Sequence, residues 1–442
     1  MAQFWPLPKT ASAPFCPAEV QGTVVIPKGV SGLKRVALFA GPGLLVAVGY
    51  MDPGNWATDI AAGAAFGYAL LFVVMLSSLA AILLQTLALR LGLAADRDLA
   101  QACRDRYGHR TRIALWAAAE LAIIATDVAE VLGAALAIKL LFGLPMMWGI
   151  CLTALDLLLV LGLQGAGFRR IEAIIGALVA IIGLCFLVEL AIARPDGAAI
   201  AAGLLPDFRR LADPSALYLA IGVVGATVMP HNLYLHSSIV RTRAIGPDDA
   251  AKRKAIGLAT ADTTVSLLLA ALVNGAIMVL AAALFHSSGN QGVADIAEAY
   301  RLIEPLTGAA AAGLLFAFAL LASGQSSTFT GTIAGQVVLE GFLDLSIPCW
   351  QRRVITRVLA ILPALAGIWL LGEGSVGRLL VLSQVVLSIQ LPFAIWPLIR
   401  VTSDRRVMGV FVTPKLAATI AWLLFAAIVA ANIWLFYAEL LG

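Results

Sequence analysis

The sequence has little charge for its length. Only 13% of its 442 residues are Asp, Glu, Lys or Arg, whereas 61% are hydrophobic. A composition this apolar excludes an ordinary soluble protein. The apolar residues form eleven runs of about 20 residues or more, the length that crosses the hydrocarbon layer of a membrane. These predicted spans cover residues 38–66, 69–92, 112–139, 146–164, 171–193, 216–240, 257–285, 306–341, 353–371, 375–399 and 414–440.

Motifs for several kinds of chemistry are also absent. The five cysteines contain no C-x-x-C pair, so neither a disulfide framework nor a zinc site is expected. No G-x-x-x-x-G-K-[ST] motif occurs, which disfavours ATP hydrolysis by this chain. The four histidines are scattered and no nucleophile–base pair stands out. We therefore predict neither an enzyme nor a bound cofactor.

Lysine and arginine are distributed unevenly between the predicted loops. With eleven spans and a cytoplasmic N-terminus, 24 of the 30 basic residues fall on the cytoplasmic side, as the positive-inside rule requires. This asymmetry predicts a multi-pass protein of the plasma (inner) membrane with an extracellular or periplasmic C-terminus. It also accounts for the net charge of +4 without a nucleic-acid partner. The lipid bilayer is the expected environment, and no obligatory protein partner is indicated.

Two short segments interrupt spans one and six. Asp52-Pro-Gly-Asn55 lies in the first span, and Met229-Pro-His-Asn232 lies in the sixth. Proline lacks an N–H group and pushes the preceding residue out of the α region, so both helices are predicted to unwind there. Unwound backbone at membrane depth persists only beside protein or a water-filled cavity. Paired breaks in two halves of a chain indicate a transporter binding site near the midplane.

The two breaks divide the chain into repeats. Residues 1–35 are rich in proline and predict a flexible cytoplasmic tail, not a signal peptide. Residues 36–193 and 216–400 each hold five spans, joined by an extracellular linker at 194–215, and residues 401–442 add the eleventh span. An odd number of spans makes the two repeats inverted. We expect an all-α membrane protein with a 5+5 inverted repeat plus one helix.

Asp52 and Met229 define the chemistry of the predicted site. A carboxylate at the centre of a membrane helix costs roughly 2.5–3.5 kcal/mol, which a bound cation or a proton offsets; the alternative is an Asp that only caps a half-helix. Met229 is either apolar filler or a soft ligand that favours transition metals over Mg²⁺ and Ca²⁺. The Asn55 amide and the carbonyls of Gly49 and Ala226 would complete a donor set suited to Mn²⁺ or Fe²⁺.

The sequence resembles the Nramp family of proton-coupled manganese and iron transporters, which have the LeuT-like fold. The resemblance extends over residues 35–440. The segments that carry it are 49–59 and 225–237, which contain the two breaks, together with 322–336 in span eight and 382–393 in span ten.

The resemblance implies roles for particular residues. Asp52, Asn55 and Met229 would bind the metal together with the Ala226 carbonyl. Gln384 matches a glutamine that approaches the metal in some states of the family. Gly49 is a departure, because the family commonly has alanine at that position.

Three acidic residues in span three suggest a route for protons. The spacing of Glu120, Asp127 and Glu130 puts them along one helical face, which indicates a proton relay or a wet pathway. The alternative is pairing with basic residues such as Arg352 and Arg353. The resemblance favours Asp127, Glu130 and Arg353 in the proton route, with Asp52 as the first acceptor.

Two histidines follow the second break. His231 adjoins the predicted site and is of a type that titrates near neutral pH. His236 lies deeper in the same half-helix and is as consistent with a hydrogen bond to a neighbouring helix as with carrying protons.

The expected function is proton-coupled import of Mn²⁺ or Fe²⁺ by alternating access. The main alternative is an amino-acid or sodium-coupled symporter of the same fold, which would present free helix ends to a substrate carboxylate in place of an Asp and a Met. A metal-gated channel or receptor is a further alternative.

Overall fold

A computed structural model describes residues 21–25, 32–155, 168–309, 311–345 and 349–441, nearly all of them helical. The helices are α1 Gly32–Phe39, α2 Pro42–Gly49, α3 Pro53–Phe66, α4 Leu71–Ala95, α5 Leu99–Arg106, α6 His109–Phe142, α7 Met146–Leu152, α8 Phe168–Ala193, α9 Gly197–Gly203, α10 Pro214–Thr227, α11 Pro230–Ile239, α12 Asp249–Ala281, α13 Ile296–Thr307, α14 Ala312–Leu343, α15 Cys349–Leu371, α16 Val376–Thr402, α17 Arg405–Met408 and α18 Lys415–Leu441. Two short strands, β1 Val24–Val25 and β2 Arg243–Ala244, pair in parallel.

The predicted spans correspond to these helices. Among the described residues, nine segments are long and apolar enough to cross a membrane, and the first of them, Pro53–Ala95, includes the end of span one and span two. Span four is described only over Met146–Leu155, and residues 156–164 of that prediction lie outside the described residues. The other spans each coincide with one helix or with an interrupted pair.

Both helix breaks occur where proline predicted them. Helix α2 ends at Gly49 and α3 begins at Pro53; α10 ends at Thr227 and α11 begins at Pro230. Each proline occupies the first turn of the second half-helix, where its missing N–H costs nothing because that group has no intrahelical partner. The sequence therefore locates both interruptions within about two residues.

One predicted boundary needs correction. The eighth span begins at Ala312 and not at residue 306, because α13 forms a separate helix that ends at Gly308 in a left-handed conformation (φ 67°). Glycine adopts this conformation without steric cost, so it ends the helix. Of the predicted tail, residues 1–35, the structure describes residues 21–25, which include β1, and residues 32–35, where α1 begins. The last membrane helix begins at Lys415, within one residue of the predicted start of span eleven at residue 414.

The interrupted helices lie at the centre of the bundle. Helix α3 packs against α10, α12, α16 and α6, while α11 packs against α4 and α14. Most of α3 and α11 is buried. The last helix, α18, is at the periphery: only 17% of its most apolar window is buried inside the protein. The packing thus shields both breaks from lipid.

A cluster of charged residues fixes the beginning of the first interrupted helix. The Asp262 carboxylate accepts hydrogen bonds from Gly41 N (3.1 Å) and Gly43 N (2.8 Å). The Arg243 guanidinium donates to Phe39 O (2.9 Å) and forms a buried ion pair with Glu172 (2.7 Å). Because Arg243 lies in β2, the chain segment after α11 is joined to the start of α2. We call this set the α2 collar.

Candidate metal site

Polar side chains form hydrogen bonds with the free backbone groups of the first break. Asp52 is the N-cap of α3: its Oδ1 accepts from Asn55 N at 2.8 Å and from Asn55 Nδ2 at 2.7 Å. Asn274 Nδ2 donates to Tyr50 O at 2.8 Å, and Trp56 Nε1 donates to Met51 O at 3.2 Å. The carbonyls that lose their helical partners at the break are thereby satisfied by side chains.

Capping and ligand binding by Asp52 are compatible in this geometry. The cap uses Oδ1 alone, whereas Oδ2 has no hydrogen-bond partner among the described residues. The side chain is fully buried. A buried carboxylate oxygen without a donor is costly, and a cation or a proton on Oδ2 removes that cost.

The second break is neutral. Met229 precedes Pro230 at the N-cap of α11 but makes no capping hydrogen bond. Its Sδ accepts a weak hydrogen bond from Asn232 Nδ2 at 3.6 Å, and the Met229 side chain is fully buried. The hydroxyl of Thr227, at the end of α10, has no hydrogen-bond partner among the described residues.

The two breaks meet in space. Asn55 Nδ2, from the first break, donates to the Ala226 carbonyl of the second at 3.0 Å. A Cβ atom on Gly49 would overlap the Asn232 amide of the second break, so the two breaks are in direct contact here. Four of the six predicted ligand residues, namely Asp52, Asn55, Ala226 and Gly49, therefore lie along one interface between the half-helices.

Gln384 lies against both breaks. A Cβ on Gly54 would overlap the Gln384 side chain, and a Cβ on Gly225 would overlap the Gln384 carbonyl. Its Nε2 donates to Ser383 Oγ at 2.8 Å, whereas its Oε1 has no partner among the described residues. The predicted position of Gln384 beside the site is consistent with these contacts.

The buried oxygen atoms of this region are suited to bind a cation. The buried oxygens that lack a donor in the described structure include one each from Asp52, Thr227, Asn232, Asn274 and Gln384. All are lone-pair acceptors, which a cation satisfies and a hydrogen-bond acceptor cannot. No group of three or more His, Cys, Asp or Glu side chains suited to a metal occurs in the part of the chain that the structure describes. A metal here would thus be bound by one carboxylate and several neutral ligands.

Asp127 and Glu130 converge on one side of this region. A Cβ on Gly331 of α14 would lie 3.1 Å from Asp127 Oδ1 and 3.2 Å from Glu130 Oε1, so both carboxylates pack on that glycine. Glu130 is within electrostatic range of Asp52 and of Arg357. Asp52, Glu130 and Asp127 thus form a line of acidic groups that leads away from the first break.

Glu120 has a different environment. It forms a buried ion pair with Arg352 at 2.6 Å and accepts from Trp116 Nε1 at 3.1 Å. This is the local pairing that the sequence left open as an alternative to a proton route. The side chain of Arg353 lies outside the described residues.

The two histidines are both buried, with neutral partners. His231 Nδ1 is 3.4 Å from Thr126 Oγ1. His236 is bonded at both ring nitrogens, to Gln85 Oε1 at 2.9 Å and to Thr263 Oγ1 at 3.3 Å. These contacts favour the hydrogen-bonding interpretation of His236.

Sequence reasoning missed several residues of this site. Arg357, one helical turn after Arg353, is within electrostatic range of Glu130, and the sequence did not single it out. Thr126 contacts His231 of the second break, but threonine is not unusual in a membrane helix. Asn274 is a different case, because an amide within an apolar span does indicate a polar contact, and its Nδ2 donates to Asn55 Oδ1 at 3.2 Å.

Comparisons with known proteins agree on one family. A family model described as natural resistance-associated macrophage protein-like (Nramp) matches residues 43–438. A relative from Pseudomonas aeruginosa, named divalent metal cation transporter MntH 1, is 61% identical over 98% of both chains.

Solved structures extend the comparison to the fold. The crystal structure of a manganese transporter mutant from Eremococcus coleocola is similar with a TM-score of 0.88 and 37% identity, over 94% of this chain and 89% of that one. MhsT, solved in complex with L-phenylalanine, shares the fold with a TM-score of 0.58 and 17% identity, over 90% of this chain and 97% of its own. The predicted all-α, LeuT-like architecture is confirmed.

Proposed function

Because this chain belongs to the Nramp family, whose members are transporters and not enzymes, we propose that it imports Mn²⁺ or Fe²⁺ together with protons. One observation carries the proposal. Asp52 caps α3 with one carboxylate oxygen and leaves the other without a partner among the described residues, at the point where Asn55 bonds the carbonyl of the second break. Capping fixes the orientation of the group, and the second oxygen remains available to the cargo.

The metal would bind between the two breaks. Asp52 supplies the negative charge, and Asn55 and the Ala226 carbonyl supply neutral oxygens. The thioether of Met229 supplies a soft ligand, which Mg²⁺ and Ca²⁺ do not favour. Gly49 and Gln384 are proposed as further oxygen donors, since each adjoins the opposite or neighbouring half-helix. A set with one charged ligand binds moderately, as release on the other side requires.

Import would proceed by alternating access around this site. The half-helices α2 and α3, and α10 and α11, can tilt independently because no continuous helical ladder joins them. We propose that opening toward the cytoplasm moves α2, which requires the α2 collar to separate. Opening toward the other side leaves the collar intact.

Protons would follow the acidic line beside the site. A metal that arrives at Asp52 displaces a proton, and Glu130 is a neighbouring carboxylate within electrostatic range. Asp127 continues the line along α6, and Arg357 supplies a positive charge to it. Glu120, paired with Arg352, and His236, bonded at both ring nitrogens, are less suited to transfer. His231 remains a candidate because it adjoins the second break.

The membrane orientation is proposed from charge. The N-terminus and the basic loops would face the cytoplasm, the C-terminus would be extracellular or periplasmic, and the membrane would be the plasma (inner) membrane. Residues 36–193 and 216–400 would be inverted repeats, each with one interrupted helix at its start. No further protein is needed for the proposed transport.

Metal uptake by purified protein in liposomes tests the function directly. With an acidic exterior, we expect saturable entry of Mn²⁺ and Fe²⁺, acidification of the lumen in parallel, and little competition from Mg²⁺ or Ca²⁺. Uptake of a labelled amino acid without Mn²⁺ would instead support the symporter alternative. Metal flux that does not saturate and carries no protons would support a channel.

A further inference from the structure

A cavity rich in arginine lies at one end of the bundle, separate from the candidate metal site. It has a volume of about 410 Å³ and is formed where α16 ends, α17 lies and α18 begins, beside the end of α5. We call it the basic cavity and define it by six of its lining residues. These are Arg106, Ile399, Arg400, Asp404, Arg405 and Trp422.

The charges of the basic cavity do not balance. Arg106 pairs with Asp404 at 2.8 Å. Arg400 and Arg405 make no ion pair or side-chain hydrogen bond within the described residues. The cavity therefore carries three guanidinium groups and one carboxylate, an excess of two positive charges around one space. Topology explains why basic residues lie on this side of the protein, but it does not explain why they surround a cavity.

The other wall of the cavity is apolar. Ile399 is buried and Trp422, two turns into α18, is half-buried. Nearby apolar side chains face outward: Val410 is 61% exposed, Leu416 74% and Leu423 65%. Tryptophan and exposed aliphatic residues beside arginine are typical of the boundary between headgroups and hydrocarbon. The cavity thus opens at the level where lipid headgroups lie.

We propose that the basic cavity binds the headgroup of an anionic phospholipid. The phosphate would lie between Arg400 and Arg405, which supply planar, bidentate donors for phosphate oxygens. The first carbons of the lipid would contact Trp422 and Ile399. Basic pockets between membrane helices bind anionic headgroups in this way. Inorganic phosphate offers the same anion but cannot use the apolar wall, so the two ligands are distinguishable.

Lipid binding to the whole protein tests the proposal. Native mass spectrometry of the detergent-purified chain, titrated with phosphatidylglycerol, would give the affinity of the bound lipid. We expect R400Q/R405Q to bind about 30-fold more weakly and each single variant about fivefold more weakly. The single variants keep the test valid if the double variant does not fold. W422A should weaken binding of phosphatidylglycerol but not of inorganic phosphate.

A matched control carries the same loss of charge. R170Q/K254Q removes two exposed basic residues of the same predicted side that line no part of the basic cavity. We expect this variant to bind phosphatidylglycerol as the wild type does. Equal binding of phosphatidylcholine to the wild type, equal weakening in the control, or unchanged binding by R400Q/R405Q would each overturn the proposal. If inorganic phosphate binds as tightly as the lipid, the ligand of the cavity is free phosphate and not a phospholipid.

Discussion

The two helix breaks are alike in sequence layout but differ in how they are held. The first is stabilised by many hydrogen bonds: Asp52 caps α3, and Asn274 and Trp56 satisfy carbonyls of residues 50 and 51. The second has no side-chain cap, and the Met229 sulfur accepts only a weak hydrogen bond. One break is thus anionic and tightly bonded, whereas the other is neutral and polarisable.

This difference suggests that the two breaks have different roles in the proposed metal site. The first break fixes a negative charge in place and adjoins Glu130, so it is suited to hold a cation or a proton. The second presents a soft atom on a less constrained backbone, so it is suited to discriminate between metals. The asymmetry predicts that substitutions at the first break abolish transport and that those at the second change its selectivity.

The largest effect is expected for Asp52→Asn. The amide can still accept the capping hydrogen bond from Asn55 N, so α3 should form, but the charge is lost. We expect Mn²⁺ uptake into liposomes to fall by about 100-fold or more, as for removal of one partner of a buried charge pair. Asp213→Asn is the control, since Asp213 caps the start of the other interrupted helix and should tolerate the change. Uptake at the wild-type rate would remove Asp52 from the site.

Glu130→Gln should have the next largest effect. If Glu130 receives protons from Asp52, uptake should fall about tenfold and should no longer rise as the exterior is acidified. Measurement of the Mn²⁺ uptake rate against external pH gives the result. Glu189→Gln is a matched control, because Glu189 is as buried as Glu130, and the carboxylate oxygens of both residues have no hydrogen-bond partner among the described residues. A retained pH response in Glu130→Gln would separate Glu130 from proton transfer.

Met229→Ala should change selectivity more than rate. We expect Mn²⁺ affinity to fall about fivefold, or about 1 kcal/mol, while inhibition of uptake by Ca²⁺ and Mg²⁺ becomes stronger. Competition assays with these ions measure the effect. Met278→Ala creates a similar cavity at another fully buried methionine and should leave the competition unchanged. Identical ion preferences in Met229→Ala and the wild type would contradict the thioether argument.

The smallest effect is expected for Gly49→Ala. The new methyl group would overlap the Asn232 amide, so this flexible side chain, which donates to the Met229 sulfur, would have to shift. We expect about a twofold change in Mn²⁺ affinity, measured by uptake at a series of metal concentrations. Gly183→Ala, where a Cβ meets open space, is the control. Equal affinities in both variants would show that the two breaks are not coupled through Asn232.

Most of the fold could be predicted from local sequence. Runs of apolar residues predict membrane helices because each span must satisfy its own backbone hydrogen bonds. Pro53 and Pro230 predict the breaks because proline lacks the N–H group that such a hydrogen bond requires. The boundary at residues 306–312 was missed because apolar residues continue through Gly308, where only a left-handed glycine ends α13. The pairing of β1 with β2 was missed because it joins residues far apart in sequence.

Whether a contact of the site could be predicted depended on how far apart its two residues lie in the sequence. Asp52 and Asn55 interact within one helical turn, so their spacing alone indicates the contact. Arg357 and Thr126 approach the site from other helices, and their contacts depend on helix rotation, which the sequence pattern does not fix. For the same reason, the sequence pattern could not decide whether Glu120 forms an ion pair with Arg352 or takes part in proton transfer.

The α2 collar has a consequence for the speed of the carrier. Separating α2 from its neighbours would break the bonds from Gly41 and Gly43 to Asp262 and from Arg243 to Phe39 before new ones form. If the proposed inward opening separates the collar in this way, that step would have a large activation enthalpy, and the proposed release of metal into the cell should slow more steeply on cooling than its capture from outside. An organism that lives in the cold would gain from a looser collar.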